Sequence, residues 1–383
     1  MWIISIPSED VSRNGDNIFY RIKSIKMPSK SDSNEPNSDH SIEACVTRQY
    51  KDFQWLYHHL STGNDIGGII MPPVPDKVGN SELEARRIMA GLRQRTDVGE
   101  AEATTLDCRK LQLFLNKVAC HPYLAQDSHV EYFLTEQETP ERFPFKKRFI
   151  GNMVKLITDL RHQSHKDREP DFRQYRNAIN NACIYWKNAN QSFSQLIRTQ
   201  RKTAVAVITL ASRVVRAGTK LVGNENSGWK LIQSFGECLN FCKEAIDVGC
   251  HSSEMNLGVI LNYYADYCEE AKNMLYRRTI RMIDYDSALR IHEKAKPKYQ
   301  ESVSREYYVT YWKAEAKRKE TKDAYEQTTE TAKNELKRFS HARSRDVKDE
   351  LLKFAEFQLA AAHDCAAIIS SVLVSLRELS PKQ

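Results

Sequence analysis

The sequence has neither a long hydrophobic run nor a set of paired cysteines. No stretch of its 383 residues approaches the roughly 20 apolar residues that a helix needs to cross a bilayer. The first residues, Met1–Pro7, are too few for a signal peptide. Nine cysteines are scattered without regular spacing, which is typical of reduced thiols in a cytosolic protein. We therefore expect a cytoplasmic protein whose contact with any membrane is peripheral.

The sequence also lacks the motifs of common enzyme classes. There is no His-Glu-x-x-His pair and no nucleophile elbow. The segment Gly223–Lys230 resembles a phosphate-binding loop but lacks its adjacent Gly-Lys-Ser/Thr. Cys238 and Cys242 lie one helical turn apart, with Cys250 and His251 downstream. Zinc binding there is conceivable, but buried thiols are the more frequent outcome. We predict no enzyme activity, no cofactor and no metal.

Charge is abundant but unevenly distributed. The net charge is +7, yet residues 1–140 hold 15 Lys and Arg against 20 Asp and Glu, whereas residues 141–383 hold 42 against 30. This asymmetry indicates that the second part meets an anionic surface, either a membrane or a nucleic acid. No nucleic-acid-binding module is recognisable, and acidic residues are interleaved in the basic region. We therefore favour a membrane and predict no nucleic-acid partner.

The first 140 residues mix strand and helix patterns. Three segments alternate or cluster β-forming residues and predict strands: Trp2–Ile6, Phe19–Ile25 and Ile42–Gln49. Apolar residues at helical spacing predict helices at about 50–60, 100–120 and 127–134. Between the first two helices, the prolines of Ile69–Lys77 favour an extended path.

This order of elements resembles a phox-homology (PX) domain over residues 1–137. The resemblance rests on the three strands, a Tyr-x-Asp-Phe-x-x-Leu helix start at Tyr50, a Pro-Pro-x-Pro-x-Lys loop ending at Lys77, and a closing helix before His121. It implies a pocket for a phosphoinositide headgroup. In that pocket an Arg before the Tyr binds the 3-phosphate, the Tyr ring forms the floor, a Lys follows the proline loop, and a second Arg precedes the closing helix motif.

Two of these four positions depart from the pattern. Tyr50 and Lys77 match it, but Gln49 and Asp107 stand where the two arginines are expected. Arg48 cannot replace the first, because successive side chains of a strand point to opposite faces. Losing a charged donor forfeits roughly 1.5–3 kcal/mol of hydrogen bonding, and Asp107 would repel an anion. We predict a pocket that is degenerate for 3-phosphoinositides and serves instead as a groove for protein or peptide.

Residues 138–165 form a linker with an amphipathic pattern. Its apolar residues fall at helical spacing, and they are Phe149, Ile150, Met153, Val154, Ile157 and Leu160. Its basic residues include Lys146, Lys147 and Arg148. A basic amphipathic helix of this kind lies in the headgroup region of an anionic bilayer. The alternative is that the apolar stripe packs against the following helices.

Residues 166–383 have a helical pattern throughout. Three long helices are predicted at about Asp171–Ala217, Trp229–Lys296 and Lys298–Leu379. The second has a possible break around Gly249–Ser253, and Pro297 is expected to end it. Apolar residues recur on average every 3.5 positions, which keeps one stripe facing a partner helix. Helices of this length favour an elongated antiparallel coiled coil that buries its remaining apolar surface in a dimer.

This second part resembles a BAR (Bin/amphiphysin/Rvs) domain. The fold class predicted for the whole chain is therefore an α+β PX domain with a three-stranded sheet, followed by an all-α, dimeric BAR domain. Four segments narrow the resemblance to sorting nexins of the 5/6/32 group: Val46–Phe53, Ile69–Pro73, Leu275–Arg278 with Asp284 and Tyr285, and Ala332–Leu336.

Membership of that group implies a role and partners. It implies a coat subunit, peripheral on early endosome membranes and tubules, that pairs with a sorting nexin one or two type of BAR protein. A homodimer is the alternative. It also implies that the PX domain takes cargo receptor tails as an added strand in retrograde transport to the Golgi.

The strongest basic cluster lies near the predicted end of the second long helix. Residues 270–322 hold 14 Lys and Arg against 8 Asp and Glu. The residues predicted to face a membrane are Arg277, Arg281, Arg290, Lys294, Lys296 and Lys298. Each contributes on the order of 1 kcal/mol near an anionic leaflet. Arg278 lies on the helical seam instead and is a candidate for an interhelical ion pair.

Two functions remain open from the sequence. One is a curvature-sensing coat subunit that binds the membrane itself. The other is a scaffold that recruits receptors, motors or small GTPases while a partner subunit supplies the membrane affinity.

Overall fold

The computed structural model describes residues 2–15, 17–27, 42–63, 66–76, 96–139, 167–222, 227–301 and 305–378. Its first part contains an antiparallel sheet of four strands, β1 (Trp2–Ser5), β2 (Ser12–Asn14), β3 (Asn17–Lys26) and β4 (Ile42–Gln49). The central strand β3 pairs with β4 from Phe19↔Gln49 to Lys26↔Ile42. On its other edge, β3 pairs with β2 near its start and with β1 near its end. The three predicted strands are confirmed, and β2 is an additional short one.

Three helices pack with the sheet: α1 (Tyr50–Gly63), α2 (Thr96–Ala119) and α3 (Ser128–Thr135). The Asp127 side chain caps α3 by accepting a hydrogen bond from the His129 N–H over 2.8 Å. Alternate residues of the strands and the apolar face of α1 meet in one core around Phe53, Leu56 and Phe114. The periodicity of the sequence therefore yields the α+β part as predicted.

The second part is a bundle of long helices: α4 (Pro170–Val222), α5 (Ser227–Ser253), α6 (Val259–Glu301) and α7 (Arg305–Glu378). Helix α7 contacts both α5 and α6, and α4 contacts the same two helices. With 74 residues, α7 is about 110 Å long at ~1.5 Å per residue. The predicted three-helix antiparallel arrangement is confirmed, with α5 and α6 together forming its middle helix.

Two details of the middle helix differ from the prediction. The expected break is instead a π-helical turn, Glu254–Gly258, so the rod continues without interruption between α5 and α6. Gly258 lies against Phe193 of α4, where an added Cβ would be 3.1 Å from the ring edge. The prediction that Pro297 ends the helix is wrong, since α6 continues to Glu301. A proline removes one hydrogen bond but does not stop a helix that neighbouring turns support.

Candidate functional site

The predicted headgroup pocket lies where β4 ends and α1 begins. The Gln49 N–H donates to Asp52 Oδ2 over 2.6 Å, which fixes the first turn of α1. The Tyr50 hydroxyl donates to the Pro75 carbonyl over 2.9 Å, so the phenol is tied to the proline loop. Burial, together with the nearby carboxylates of Asp76 and Asp107, raises the pKa of Tyr50 to about 12. The ring predicted to form the pocket floor therefore lies in an environment of negative charge.

Arg48 points away from this pocket, as the strand alternation predicts. Its guanidinium is fully buried and donates to the carbonyls of Phe133 over 3.1 Å and Glu136 over 2.5 Å. These bonds join β4 to α3 and the turn after it. Arg48 is therefore a structural residue of the domain and cannot reach a ligand beside Gln49.

The fourth predicted position is a buried carboxylate. Asp107 on α2 is almost inaccessible to solvent, and its charge contributes to raising the pKa of both Tyr50 and the buried Tyr20. Arg13, which the sequence did not single out, donates from Nη2 to Thr104 Oγ1 over 2.8 Å nearby on α2. Lys77 lies outside the described residues. At the three described positions the pocket offers an amide, a phenol and a carboxylate, which is a poor set for an anionic ligand.

The two parts of the chain are joined by a buried polar junction that sequence reasoning missed. Glu335 of α7 accepts hydrogen bonds at Oε2 from the Ile70 N–H over 3.3 Å and the Arg338 guanidinium over 2.8 Å. His121 Nε2 lies 3.2 Å from the same oxygen. Glu335 and His121 are both buried. Hydrogen bonds from His121 and Arg338, together with the charge of Arg338, lower the pKa of Glu335 despite its burial. This carboxylate of the helical part is therefore fully paired inside the contact with the PX part.

Arg277 belongs to this junction and not to a membrane surface. Its guanidinium donates to the carbonyls of Ile66 over 3.3 Å and Ile69 over 2.6 Å. Glu270, two helical turns before Arg277, accepts a hydrogen bond from the Tyr57 hydroxyl over 3.0 Å. Burial lowers the pKa of Arg277 and raises that of Glu270. The guanidinium of Arg277 is thus bonded to backbone carbonyls of the PX part. The prediction that Arg277 lies on the basic membrane surface is therefore wrong.

The loop at residues 66–70 contacts the helical part closely enough to require glycine. A Cβ on Gly68 would lie 2.6 Å from the Thr328 carbonyl oxygen and 2.8 Å from the Ala332 nitrogen. Ile70, two residues on, is fully buried within the core of the helical bundle, beside residues such as Tyr267 and Phe339. The PX part thus contributes a side chain to the core of its neighbour.

Arg278 forms the interhelical pairing predicted for it. Its Nη1 lies 2.9 Å from Asp167 Oδ2, before α4, and its Nε donates to Thr329 Oγ1 of α7 over 3.0 Å. Its guanidinium carbon lies 3.5 Å from the centre of the Phe172 ring. This fully buried arginine therefore ties α4, α6 and α7 together.

The other predicted membrane residues lie at the far end of the α6–α7 hairpin. Arg290, Lys294 and Lys296 are exposed, and Arg281 is half-buried. Lys298 lies within α6, and its side chain is outside those described. The linker residues Lys146, Lys147, Arg148, Phe149, Ile150, Met153, Val154, Ile157 and Leu160 are also outside the described residues. That helix stays a prediction.

The opposite end of the helical part exposes many apolar side chains. They lie on α4, α5 and the C-terminal half of α7, and they include Ile184, Tyr185, Leu210, Phe241, Val248, Leu359, Ile369, Leu373 and Val374. By length and composition alone, α7 contains one 18-residue window apolar enough to cross a membrane, and none of that window is buried within the chain. This differs from the expectation that no such stretch exists. An apolar surface of this size on one chain marks an interaction site.

Among the residues that the structure describes, no group of three or more His, Cys, Asp or Glu side chains is placed to hold a metal ion. Cys238 and Cys250 are buried, and Cys242 is half-buried.

Comparisons with known proteins agree with this architecture. The PX domain family matches residues 36–137, and the BAR domain family matches residues 158–378. The chain therefore belongs to the BAR domain family, and with its PX domain it is a sorting nexin of the PX-BAR type. Membership of these families implies membrane binding and dimerisation.

Individual relatives confirm the resemblance to the sorting nexin 5/6/32 group. Sorting nexin-6 of Homo sapiens is 24% identical, over 92% of this chain and 88% of that protein. Sorting nexin-32 of Homo sapiens is 23% identical, over 88% of this chain and 85% of that protein. The cryo-EM structure of the SNX-BAR Mvp1 tetramer has the same fold, with a TM-score of 0.55 at 16% identity over 97% of this chain and 99% of that one.

Proposed function

We propose that the protein is a coat subunit of early endosomes, which dimerises, binds and tubulates the membrane, and sorts receptors for retrograde transport to the Golgi. The observation that carries this proposal is the helical arm itself. One end presents the exposed basic residues Arg290, Lys294 and Lys296, and the other presents an uncovered apolar surface. A dimer formed through the apolar surface would hold two basic ends against one anionic bilayer.

The partner that covers the apolar surface is proposed to be a second BAR chain. A sorting nexin one or two type of protein would make a heterodimer, and a second copy of this chain would make a homodimer. The exposed residues are mainly aliphatic and aromatic, as in interfaces that are permanently buried.

The PX pocket is proposed to bind protein in preference to a 3-phosphoinositide. Gln49 and the buried carboxylate of Asp107 support this, because the amide carries no positive charge and the carboxylate repels a phosphate. The tail of a cargo receptor is the expected ligand.

A second candidate is an adaptor that recruits receptors, motors or small GTPases while its partner chain holds the membrane. The specific observation in its favour is again the carboxylate of Asp107, because it disfavours the lipid headgroup through which a PX domain would bind a membrane.

Liposome sedimentation distinguishes the two functions. The full chain, alone and with its BAR partner, is titrated with phosphatidylserine vesicles, and a variant with Arg290→Glu, Lys294→Glu and Lys298→Glu is compared. We expect the variant to lose most of its binding, because each reversal removes an attraction of on the order of 1 kcal/mol and adds a repulsion.

The matched control reverses three exposed basic residues of the PX part, Arg21, Lys51 and Arg109, and should keep most binding. Equal binding by the tip variant and the unaltered protein would reject the coat function. Binding that requires the partner and is unchanged by the three reversals of either variant would establish the adaptor function.

A further inference from the structure

The start of α7, at the tip of the arm, exposes several large side chains. The exposed fractions are 40% for Tyr307, 52% for Tyr308, 42% for Val309 and 49% for Trp312. Aromatic rings of this size are among the most costly groups to leave in water. An exposed cluster of them on a long charged helix is therefore a binding surface rather than incidental exposure.

The helical repeat puts these residues on a defined face. At about 3.6 residues per turn, Arg305, Tyr308, Val309, Trp312, Ala316 and Lys319 share one side of α7. We call these six residues the tip face. The rings of Tyr308 and Trp312 are neighbours along it, with their centres 6.1 Å apart and their planes tilted by 56°. The tip face has a basic residue at each end, apolar residues between them, and no carboxylate.

The side of α7 next to the tip face is already packed against α6. The Tyr311 ring lies 5.2 Å from the His292 ring, centre to centre, and Ala314 is buried. Glu315 Oε2 lies 3.0 Å from His292 Nε2. These contacts fix the rotation of α7, so the tip face is held outward and cannot turn into the bundle.

The composition of the tip selects its partner. Residues 290–319 hold nine Lys and Arg against four Asp and Glu, which favours an anionic surface. Trp and Tyr have an apolar body and a polar edge that suit the boundary between lipid headgroups and acyl chains. The exposed surface near the other end of the arm has a different composition, dominated by Leu, Ile and Val, and begins about 60 Å away at Leu351, at ~1.5 Å per residue. The tip face is therefore separate from the proposed dimer surface.

We propose that the tip face inserts into the interface of an anionic bilayer and gives each arm an apolar anchor in addition to its charge. This rests on the proposed membrane function. The basic residues bring the tip to the bilayer, and Tyr308, Val309 and Trp312 enter the headgroup layer once it is there. Such insertion acts as a wedge in one leaflet at each end of a dimer, and it persists at salt concentrations that screen the charges.

Quenching of Trp312 fluorescence tests the depth of insertion directly. The full chain is mixed with vesicles of phosphatidylserine and acyl-chain-brominated phosphatidylcholine, and with unbrominated vesicles as a reference. The same measurement on Trp312→Phe isolates the signal of Trp312 from the other four tryptophans. We expect quenching in the unaltered protein that the Trp312→Phe variant lacks.

Sedimentation at high salt tests the contribution to binding. A triple variant, Tyr308→Ser, Val309→Ser and Trp312→Ser, should bind these vesicles about tenfold or more weakly at high salt while retaining most of its low-salt binding. The control is Ile291→Ser, an exposed apolar residue of α6 outside the tip face, which should change binding little. Equal thermal unfolding and equal oligomeric state of the variants establish that folding and assembly are intact.

The outcomes separate this inference from the function on which it rests. Sedimentation of the unaltered protein with no Trp312 quenching and no effect of the triple variant would overturn the tip insertion alone. If the triple variant changes the oligomeric state, the tip face contacts a second chain, and the proposed insertion is overturned in that case also. No sedimentation of the unaltered dimer at any salt concentration would reject the membrane function, and the insertion with it.

Discussion

At the scale of single residues, the proposed ligand of the PX pocket is determined by two side chains. Gln49 provides no positive charge, and Asp107 places a buried carboxylate in the pocket. Burial, together with the charges of Asp76 and Asp107, raises the pKa of Tyr50 to about 12. Tyr50, the floor residue, is intact and tied to Pro75. The pocket therefore has the aromatic floor of Tyr50 but lacks the two arginine charges that would hold a phosphate above it.

Restoring those charges should restore anion binding. The double variant Gln49→Arg, Asp107→Arg adds a bidentate donor and removes a repulsion, so its affinity for the soluble headgroup of a 3-phosphoinositide should rise by roughly tenfold or more. Calorimetric titration measures it. Asp107→Asn is the control, because it removes the repulsion alone and should give a smaller gain. An unchanged affinity in the double variant would mean that the pocket is closed for another reason.

The buried His121 should make the stability of the protein depend on pH. Its Nδ1 accepts from the N–H groups of Tyr123 and Leu124, each over 3.2 Å, so Nε2 carries the proton shared with Glu335. Burial, helped by the charge of Arg338, lowers the pKa of His121. As the pH falls, His121 is therefore protonated in the unfolded chain before it is protonated in the folded protein. The stabilisation by His121 is complete above the unfolded-state pKa of about 6.5 and is lost as the pH falls through the lower folded-state pKa.

Thermal unfolding of the protein and of His121→Asn between pH 7.5 and 5 checks this. The unaltered protein should be more stable at pH 7.5, and the difference between the two melting temperatures should narrow toward pH 5. Other groups that titrate in this range, such as Asp266, whose pKa burial raises to about 6, are present in both proteins and cancel in the difference. A difference that stays constant would contradict the assignment.

At the scale of secondary-structure elements, the spacing of apolar residues predicts the longer strands and helices well. The strand of Ile42–Gln49 and the helices around 100–120, 127–134 and 171–217 were predictable because each buries one regular face. The three-residue strand Ser12–Asn14 and the π-helical turn Glu254–Gly258 were missed. Neither is long enough to leave a periodic signal, and the second depends on the neighbouring helix.

The junction between the parts could not be read from the sequence for a different reason. Its contacts join residues far apart in the chain, such as Ile70 with Glu335 and Ile69 with Arg277. Arg277 has the same local pattern as the exposed basic residues further along α6, such as Arg290 and Lys294, and only the fold distinguishes them. The candidate pocket positions Gln49, Tyr50 and Asp107, in contrast, could be assigned from short motifs, and their role in ligand binding stays a prediction.

The loop of the PX part should tolerate nothing larger than glycine at position 68. Gly68→Ala forces its Cβ to within 2.6 Å of the Thr328 carbonyl oxygen, and we expect a loss of about 1–3 kcal/mol in the free energy of unfolding. The matched control is Gly249→Ala within α5, whose Cβ would meet Phe357 at an ordinary 3.7 Å and should be neutral or stabilising. Chemical denaturation of both variants measures the two effects, and equal stabilities would contradict the tight contact.

At the scale of the whole molecule, the exposed apolar surface predicts assembly. The double variant Phe241→Asp, Leu373→Asp places two charges in the proposed interface. A combined cost of about 4 kcal/mol would weaken association roughly 1000-fold. Light scattering after size exclusion should show a monomer. Ile291→Asp is the control, because Ile291 is also exposed but lies on α6 near the tip of the arm, and this variant should remain dimeric. A dimeric double variant would place the interface elsewhere.

The insertion of Ile70 into the helical bundle has a consequence for any larger array. Because that side chain fills a space between α6 and α7, and Gly68 allows no gap beside it, the PX part cannot swivel on the arm. Every copy in a repeating lattice would display its PX part at the same angle and spacing. Receptor tails, the proposed ligands of the PX part, would then be arrayed at regular intervals set by the protein scaffold, irrespective of the lipids between them.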